Sequence, residues 1–194
     1  MRTLLSPYLS FTRDQWSRHR LGTPSPLSIT DVQSLQGQFE RVSVKEIEEV
    51  YLPLSRLLSF YVTATQGLHS VTCDFLGTIS PKVPFIIGVS GSVAVGKSTT
   101  SRVLKALLGS WPDHPSVAVI TTDGFLFPNA NLQERGLMQR KGFPESYDIK
   151  SLLRVLHALK SGQAEVNVPV YSHHHYDVLP GESIIMKQPD IVIV

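Results

Sequence analysis

A single cysteine, Cys73, stands among 194 residues, so no disulfide can close within the chain and a four-cysteine zinc site is excluded. Such sparing use of thiols fits a reducing compartment, and a cytoplasmic location is expected. Met1 to Ser10 lacks the unbroken apolar stretch of a secretory leader, and no run approaches the ~18 apolar residues of a membrane span. Charge is also scarce: 18% of residues are Asp, Glu, Lys or Arg, with a net charge of +2. The basic residues are scattered, with Arg140-Lys141 the adjacent pair in mid-chain. Nucleic-acid and membrane-surface proteins concentrate such residues, so neither partner is expected. Repeats and low-complexity tracts are missing too. What remains, 42% hydrophobic, is a globular balance with enough length for one domain core plus an extension.

Residues 1–83 read as an N-terminal helical extension packing on the core. Ser43-Val44-Lys45-Glu46 has capping-box spacing, followed by Val50, Leu54, Leu57, Leu58 and Tyr61 at helical intervals. Pro53 is placed to kink or delay that helix. Pro24-Ser25-Pro26 and the stretch from Gly77 to Pro84 read as turns or linkers.

The character changes at Pro84, and residues 84–194 read as the core. Phe85-Ile86-Ile87-Gly88-Val89 and Val117-Ala118-Val119-Ile120 are short apolar runs, as of strands buried on both faces. Between them, Val103, Leu104, Leu107 and Leu108 share one helical face from Lys97 to Leu108. Asp148 can cap a second helix, Leu152 to Leu159, closed by Ser161-Gly162. Val166, Val168 and Val170 alternate as a strand does, and Asp190 to Val194 is a further buried strand. The order implies an α/β fold with a mostly parallel sheet covered on both faces.

Gly91-Ser92-Val93-Ala94-Val95-Gly96-Lys97-Ser98, followed by Thr99, satisfies G-x-x-x-x-G-K-[ST] with a strand before it and a helix after it. The glycines let the backbone curl so that N–H groups face phosphate oxygens, and the helix adds its positive end. Lys97 would reach the β- and γ-phosphates of ATP, and the Ser98 hydroxyl would ligate the accompanying Mg²⁺. The competing reading is a chance match in a glycine-containing turn. The motif names a nucleotide rather than a reaction, since P-loop proteins include kinases, GTPases and motor ATPases.

Asp123 ends the second strand and enters a glycine turn, at the sheet edge where open α/β folds bind ligands. It can accept a proton from an attacking hydroxyl or hold Mg²⁺; it can also simply form the Asp-Gly turn. Tyr171-Ser172-His173-His174-His175-Tyr176-Asp177 reads three ways: as a metal site, as hydrogen-bonding groups for a polar substrate, or as a plain surface strand. On a strand only His173 and His175 would share a face. Arg135 to Asp148, with glycines bracketing basic residues, reads equally as a mobile flap over phosphates or as a solvated charged loop.

Several stretches together resemble bacterial type I pantothenate kinase: Tyr51 to Leu58, Gly91 to Thr99, Thr121 to Phe125, Arg135 to Met138, Lys141 to Asp148 and Pro169 to His173. The similarity runs from about Pro7 to Val194. Lys141-Gly142-Phe143-Pro144-Glu145-Ser146-Tyr147-Asp148 is the most specific of these, because uridine kinases and phosphoribulokinases do not share it in this form. The resemblance implies a P-loop NTPase-type three-layer sandwich and MgATP-dependent phosphorylation of pantothenate, the first step toward coenzyme A. It implies Asp123 as catalytic base, Lys97 and Ser98 as ATP and Mg²⁺ residues, and Tyr171, His173 and Tyr176 along the pantothenate and coenzyme A pocket. Arg102 matches a residue tied to feedback inhibition by coenzyme A, against the alternative of an ordinary solvent-facing arginine. The complete family enzyme is a homodimer. Family members continue past the last strand with Glu-Gly, so this chain is expected to lack a C-terminal third and to leave the sheet incomplete at that end. Two other readings stand beside the kinase: a truncated, non-catalytic nucleotide-binding fragment, and a P-loop kinase of the uridine kinase or phosphoribulokinase kind.

Overall fold

Short polar side chains open the N-terminal helices by accepting otherwise orphaned N–H groups. Thr12 caps α1 (Arg13–Ser17), Ser28 caps α2 (Ile29–Leu35) and Ser43 caps α3 (Val44–Glu46), where it accepts from the Glu46 N–H at 3.1 Å. The helical run then continues through a π-helical turn, Ile47–Tyr51, into the long α4, Leu52–Leu76. Pro53, expected to disturb this helix, lies at its second residue. A proline has no N–H for the carbonyl four residues back and its ring crowds that carbonyl, and the widened turn directly before it absorbs both defects. The computed structural model describes residues 8–36, 42–78, 82–92, 94–113 and 115–194.

The described chain forms two compact units, 1–61 with 92–114 and 62–91 with 115–194. The first holds α1 to α3, the start of α4, and α5 (Lys97–Gly109). Its core joins Val32, Val42, Ile47 and Leu52 to Val103 and Leu107 of α5, all at most 9% exposed. Two indoles satisfy their N–H groups inside it: Trp16 donates to the Val50 carbonyl at 3.0 Å, and Trp111 to the buried Ser55 hydroxyl at 3.3 Å.

The second unit contains β1 (Phe85–Ile87), β2 (Val117–Val119), α6 (Asn129–Glu134), α7 (Ile149–Lys160), β3 (Val166–Ser172), β4 (Asp177–Met186) and β5 (Ile191–Ile193). Its three-stranded sheet is wholly parallel in the order β1-β5-β2, with Phe85 and Val117 both level with Ile191. All three strands were expected to be buried on both faces. Only β5 is; β1 and β2 are half-buried, because β5 has a strand on each side and they are the edges. Asp190 fixes the register of all three. Its carboxylate takes the Ser116 N–H and hydroxyl at 2.7 Å and pairs with Lys82 at 2.7 Å, while its carbonyl accepts from Phe85.

The α7 helix, capped by Asp148 through the Ser151 N–H and followed by Gly162 at φ +71°, packs Val155 and Leu159 into a core with Ile120, Phe125, Val166, Val168 and Val192. The strand read at Val166 to Val170 does not join the parallel sheet. It pairs antiparallel with β4 as a separate hairpin, and Pro180-Gly181 falls in a bulge where the register shifts between Pro169 and Tyr171. Among the described residues no helix is long and apolar enough to cross a membrane.

Candidate active site

In the first unit the phosphate loop ends at the N-terminus of α5. Ala94 and Gly96 both take positive φ, +58° and +90°, the kind of backbone conformation from which anion-binding concavities are built. Gly96 is the residue before the helix, and Thr100 N–H closes the first turn on its carbonyl at 2.9 Å. The Lys97 ammonium folds back over the loop and donates to the Ser92 carbonyl at 2.7 Å. Ser98 points to an exposed surface and Val95 is 60% exposed, whereas Thr99 is buried. Val93 lies outside the described residues, and Gly91 belongs to the second unit.

Arg102, one turn further, is not a solvent-facing arginine. It is half-buried, donating from Nε to the Leu35 carbonyl at 2.8 Å and from Nη2 to the Thr99 hydroxyl at 3.0 Å. Tyr51 reaches the same turn, its hydroxyl 3.2 Å from Thr100 Oγ1. Val42, Glu46 and Tyr51 line a cavity of about 250 Å³ with Ala94 to Gly96 and Thr99. Among the described residues no group of three His, Cys, Asp or Glu side chains stands together so as to hold a metal ion. Ser98 alone suits a Mg²⁺ that arrives with a triphosphate, since that ion keeps waters and phosphate oxygens as most of its ligands.

In the second unit Asp123 sits half-buried in a single 3₁₀ turn, Thr122–Phe125, directly after β2. Tyr147 donates to its Oδ1 at 3.3 Å. Burial pushes the Tyr147 hydroxyl above its ordinary pKa, and the neighbouring Asp123 charge, the hydrogen bond to it and Tyr171 add to the rise. It therefore stays a donor throughout the neutral range. The end of the 135–148 segment, which carries Tyr147, is tied to the chain that follows Asp123. Leu126 and Tyr147 form a β-bridge, Phe127 N–H donates to the Ser146 carbonyl, Asp148 N–H donates to the Phe125 carbonyl, and Ser146 is fully buried. Gly124 is required at this crossing: a Cβ there would lie 2.5 Å from the Pro169 carbonyl oxygen of β3.

Tyr171, the residue before the last of β3, has its ring edge-on to that of His173 at 5.2 Å. The histidines are not on a strand, as the face-alternation reading assumed; residues 173–176 are the turn of the β3–β4 hairpin, and Tyr176 closes it at φ +52° with its side chain 71% exposed. A cation and an amide grip this turn by its backbone. Lys141 donates to the Tyr176 carbonyl and, at 2.7 Å, to Asn129 Oδ1, and its ammonium lies 5.3 Å from the Tyr171 ring centroid. Asn129 donates to the Tyr176 carbonyl at 3.2 Å and, from its backbone, to Asp177 at 3.0 Å. One constellation thus joins Asp123, Tyr147, Tyr171, His173 and Lys141. Sequence reasoning assigned no individual role to Tyr147, Lys141 or Asn129; the first two lie in the 141–148 run whose distinctiveness was the available signal.

Residues 86–194, more than half the chain, match the phosphoribulokinase/uridine kinase family. The chain is 65% identical over 190 residues to a protein named pantothenate kinase from Coxiella burnetii, and 54% identical over 191 residues to one so named from Brevibacillus brevis. Each alignment covers 98% of this chain but 60% of the relative, so the chain spans about 60% of the length of these curated relatives. Among solved structures it resembles a putative fructose transport system kinase from Silicibacter sp. TM1040, with TM-score 0.53 and 31% identity over 59% of this chain and 54% of that one. With a phosphate loop between strand and helix, a parallel sheet and these matches, the chain belongs to the phosphoribulokinase/uridine kinase family of P-loop kinases.

Proposed function

We propose that this chain is the N-terminal part of an ATP-dependent pantothenate kinase, acting in the cytoplasm at the first step toward coenzyme A. The observation that carries this reading is the 65% identity to a pantothenate kinase across nearly the whole chain, through both the loop and the Lys141 to Asp148 run. The acceptor oxygen of pantothenate attacks the γ-phosphorus as the bond to the ADP oxygen breaks, and the hydroxyl proton passes to Asp123. Lys97 exchanges the Ser92 carbonyl for phosphate oxygens and offsets the charge that builds on them. Loop amides from Ser92 to Gly96 hold the phosphates, and the cavity beside Tyr51 takes the nucleoside. Mg²⁺, held through Ser98 and the nucleotide, supplies charge neutralisation.

Tyr147 keeps the Asp123 carboxylate turned toward the acceptor. Tyr171 and His173 offer hydrogen-bonding edges to pantothenate at the hairpin turn, which Lys141 keeps in place, and the exposed Tyr176 borders the same pocket. Arg102 transmits coenzyme A feedback through Thr99 and the loop, and the complete enzyme works as a homodimer.

Calorimetry with MgATP tests the first half of this reading: binding to the chain and its loss in Lys97→Ala are expected, and unchanged affinity in that variant rejects the loop assignment. Asp123→Asn in the complete enzyme is expected to bind MgATP normally while turnover falls by about 10²–10⁴-fold. The 60% coverage favours one second reading, a nucleotide-binding piece that transfers no phosphoryl group by itself. Binding of MgATP without product from the isolated chain, and with product after addition of the remaining segment of a relative, would distinguish it.

A further inference from the structure

Three helices of the first unit open on the same signal, a hydroxyl followed three residues later by a side chain able to reach back. At α1 the Gln15 amide oxygen accepts the Thr12 N–H at 2.9 Å, and at α2 the Asp31 carboxylate accepts the Ser28 N–H at 2.8 Å. Both capping boxes are closed. At α3 half of the box is made: Ser43 Oγ accepts the Glu46 N–H at 3.1 Å, but the Glu46 carboxylate does not return to Ser43. Its neighbours are paired, Glu48 with Arg20 at 3.2 Å and Glu49 with Arg13 at 2.7 Å. Among the described residues the carboxylate of half-buried Glu46 has neither an ion pair nor a hydrogen bond. What Glu46 does line is the cavity of about 250 Å³ shared with Tyr51, Ala94 to Gly96 and Thr99.

A negative charge is out of place there if phosphate is the whole ligand. The loop and the start of α5 attract anions, and a carboxylate on the same cavity repels them. A carboxylate accepts hydrogen bonds and donates none, so a ligand gains from it only by bringing donors. The ribose of a nucleotide brings two adjacent hydroxyls, a match for the two carboxylate oxygens. The adenine amino group is a poorer match, because the ring nitrogens on either side of it are acceptors. The ribose is also the part joined to the phosphates, and Glu46 shares its cavity with the phosphate loop itself. Buried Val42 and the Tyr51 ring, fixed by its hydroxyl 3.2 Å from Thr100 Oγ1, supply the apolar wall against which a sugar and base can rest.

We propose that Glu46 accepts the 2′- and 3′-hydroxyls of the bound nucleotide and so selects ribonucleotide over deoxyribonucleotide. This rests on the loop being an ATP site, and the experiment separates the two claims. By calorimetry the 194-residue chain is expected to bind MgATP about ten-fold more tightly than its 2′-deoxy form, the effect of one hydrogen bond to a charged acceptor. In Glu46→Ala the two nucleotides are expected to bind alike. Magnesium tripolyphosphate, which has no sugar, is expected to bind that variant more tightly than wild type, because repulsion alone is removed. A structural role for Glu46 would instead weaken both ligands. If Glu46→Ala fails to fold, Glu46→Gln takes its place, with the same opposite signs in smaller measure. Equal affinity of wild type for the ribo and deoxy forms overturns the proposal and leaves the loop reading standing, as does weaker tripolyphosphate binding by the variant. A wild-type preference for MgGTP over MgATP that the variant loses overturns it in favour of a contact to the base. Wild type that binds no nucleotide removes the loop reading and this proposal together.

Discussion

The Tyr147 hydroxyl donates to Asp123 Oδ1 across 3.3 Å, so the carboxylate after β2 is oriented by a side chain 24 residues downstream. Tyr147→Phe removes the donor and keeps the ring. We expect kcat of the complete enzyme to fall about five-fold with the ATP KM unchanged, the worth of a hydrogen bond near 1 kcal/mol. An unaltered kcat would remove Tyr147 from the mechanism.

The raised pKa of Tyr147 carries a signature at high pH. A group that holds its proton more tightly folded than unfolded contributes stability that is complete below its unfolded value. That contribution disappears as pH rises through the folded value. Thermal melts should therefore show wild type losing stability above about pH 10 that Tyr147→Phe does not lose. Parallel curves for the two proteins would contradict the burial of the hydroxyl.

Asp190 titrates with the opposite sign. Burial pushes its carboxyl up, but the Lys82 and Ser116 hydrogen bonds and the Lys82 charge outweigh this and leave the pKa below 3.8. Its stabilisation is present above the unfolded value and is lost as pH falls through the lower, folded one. Asp190→Asn is expected to cost about 2 kcal/mol at neutral pH, with the gap to wild type closing below about pH 4. Chemical denaturation at both pH values checks this.

Gly124→Ala would press a methyl group against backbone, the Pro169 carbonyl 2.5 Å away, with no flexible side chain to yield. A loss of about 1–3 kcal/mol is expected, read as a lower denaturation midpoint. Because the clash separates the Asp123 turn from β3, activity should fall further than stability alone explains.

Gly96→Ala meets no atom within 4 Å, so its penalty comes from φ +90° alone. We expect a loss of about 1–2 kcal/mol in stability together with weaker MgATP binding by calorimetry. Full retention of both would show that the loop tolerates another backbone path.

Periodicity and glycine spacing were enough to locate the loop, α5, α7 with its Asp148 cap, and the parallel strands. Each of these is written in residues close together in the chain. The missed features are written across long separations. Nothing near Lys141 announces that it will hold a carbonyl 35 residues away, at Tyr176. The hairpin was missed for a local reason as well: its turn is the histidine run, which was read as part of a strand, and its second strand passes through Pro180-Gly181 as a bulge. Burial of β1 and β2 was overestimated because apolar composition reports what a strand can pack against, not its place in the sheet.

The middle strand of the parallel sheet follows both of its neighbours in sequence: β1 and β2 bond to β5 and not to each other. While the ribosome is still short of residue 191, both earlier strands must wait without a ladder partner. From the completion of β2 until then, the nascent chain carries two sticky, half-apolar ribbons, a period in which chaperone shelter matters. Joining of the two ribbons then becomes a single event triggered by three residues.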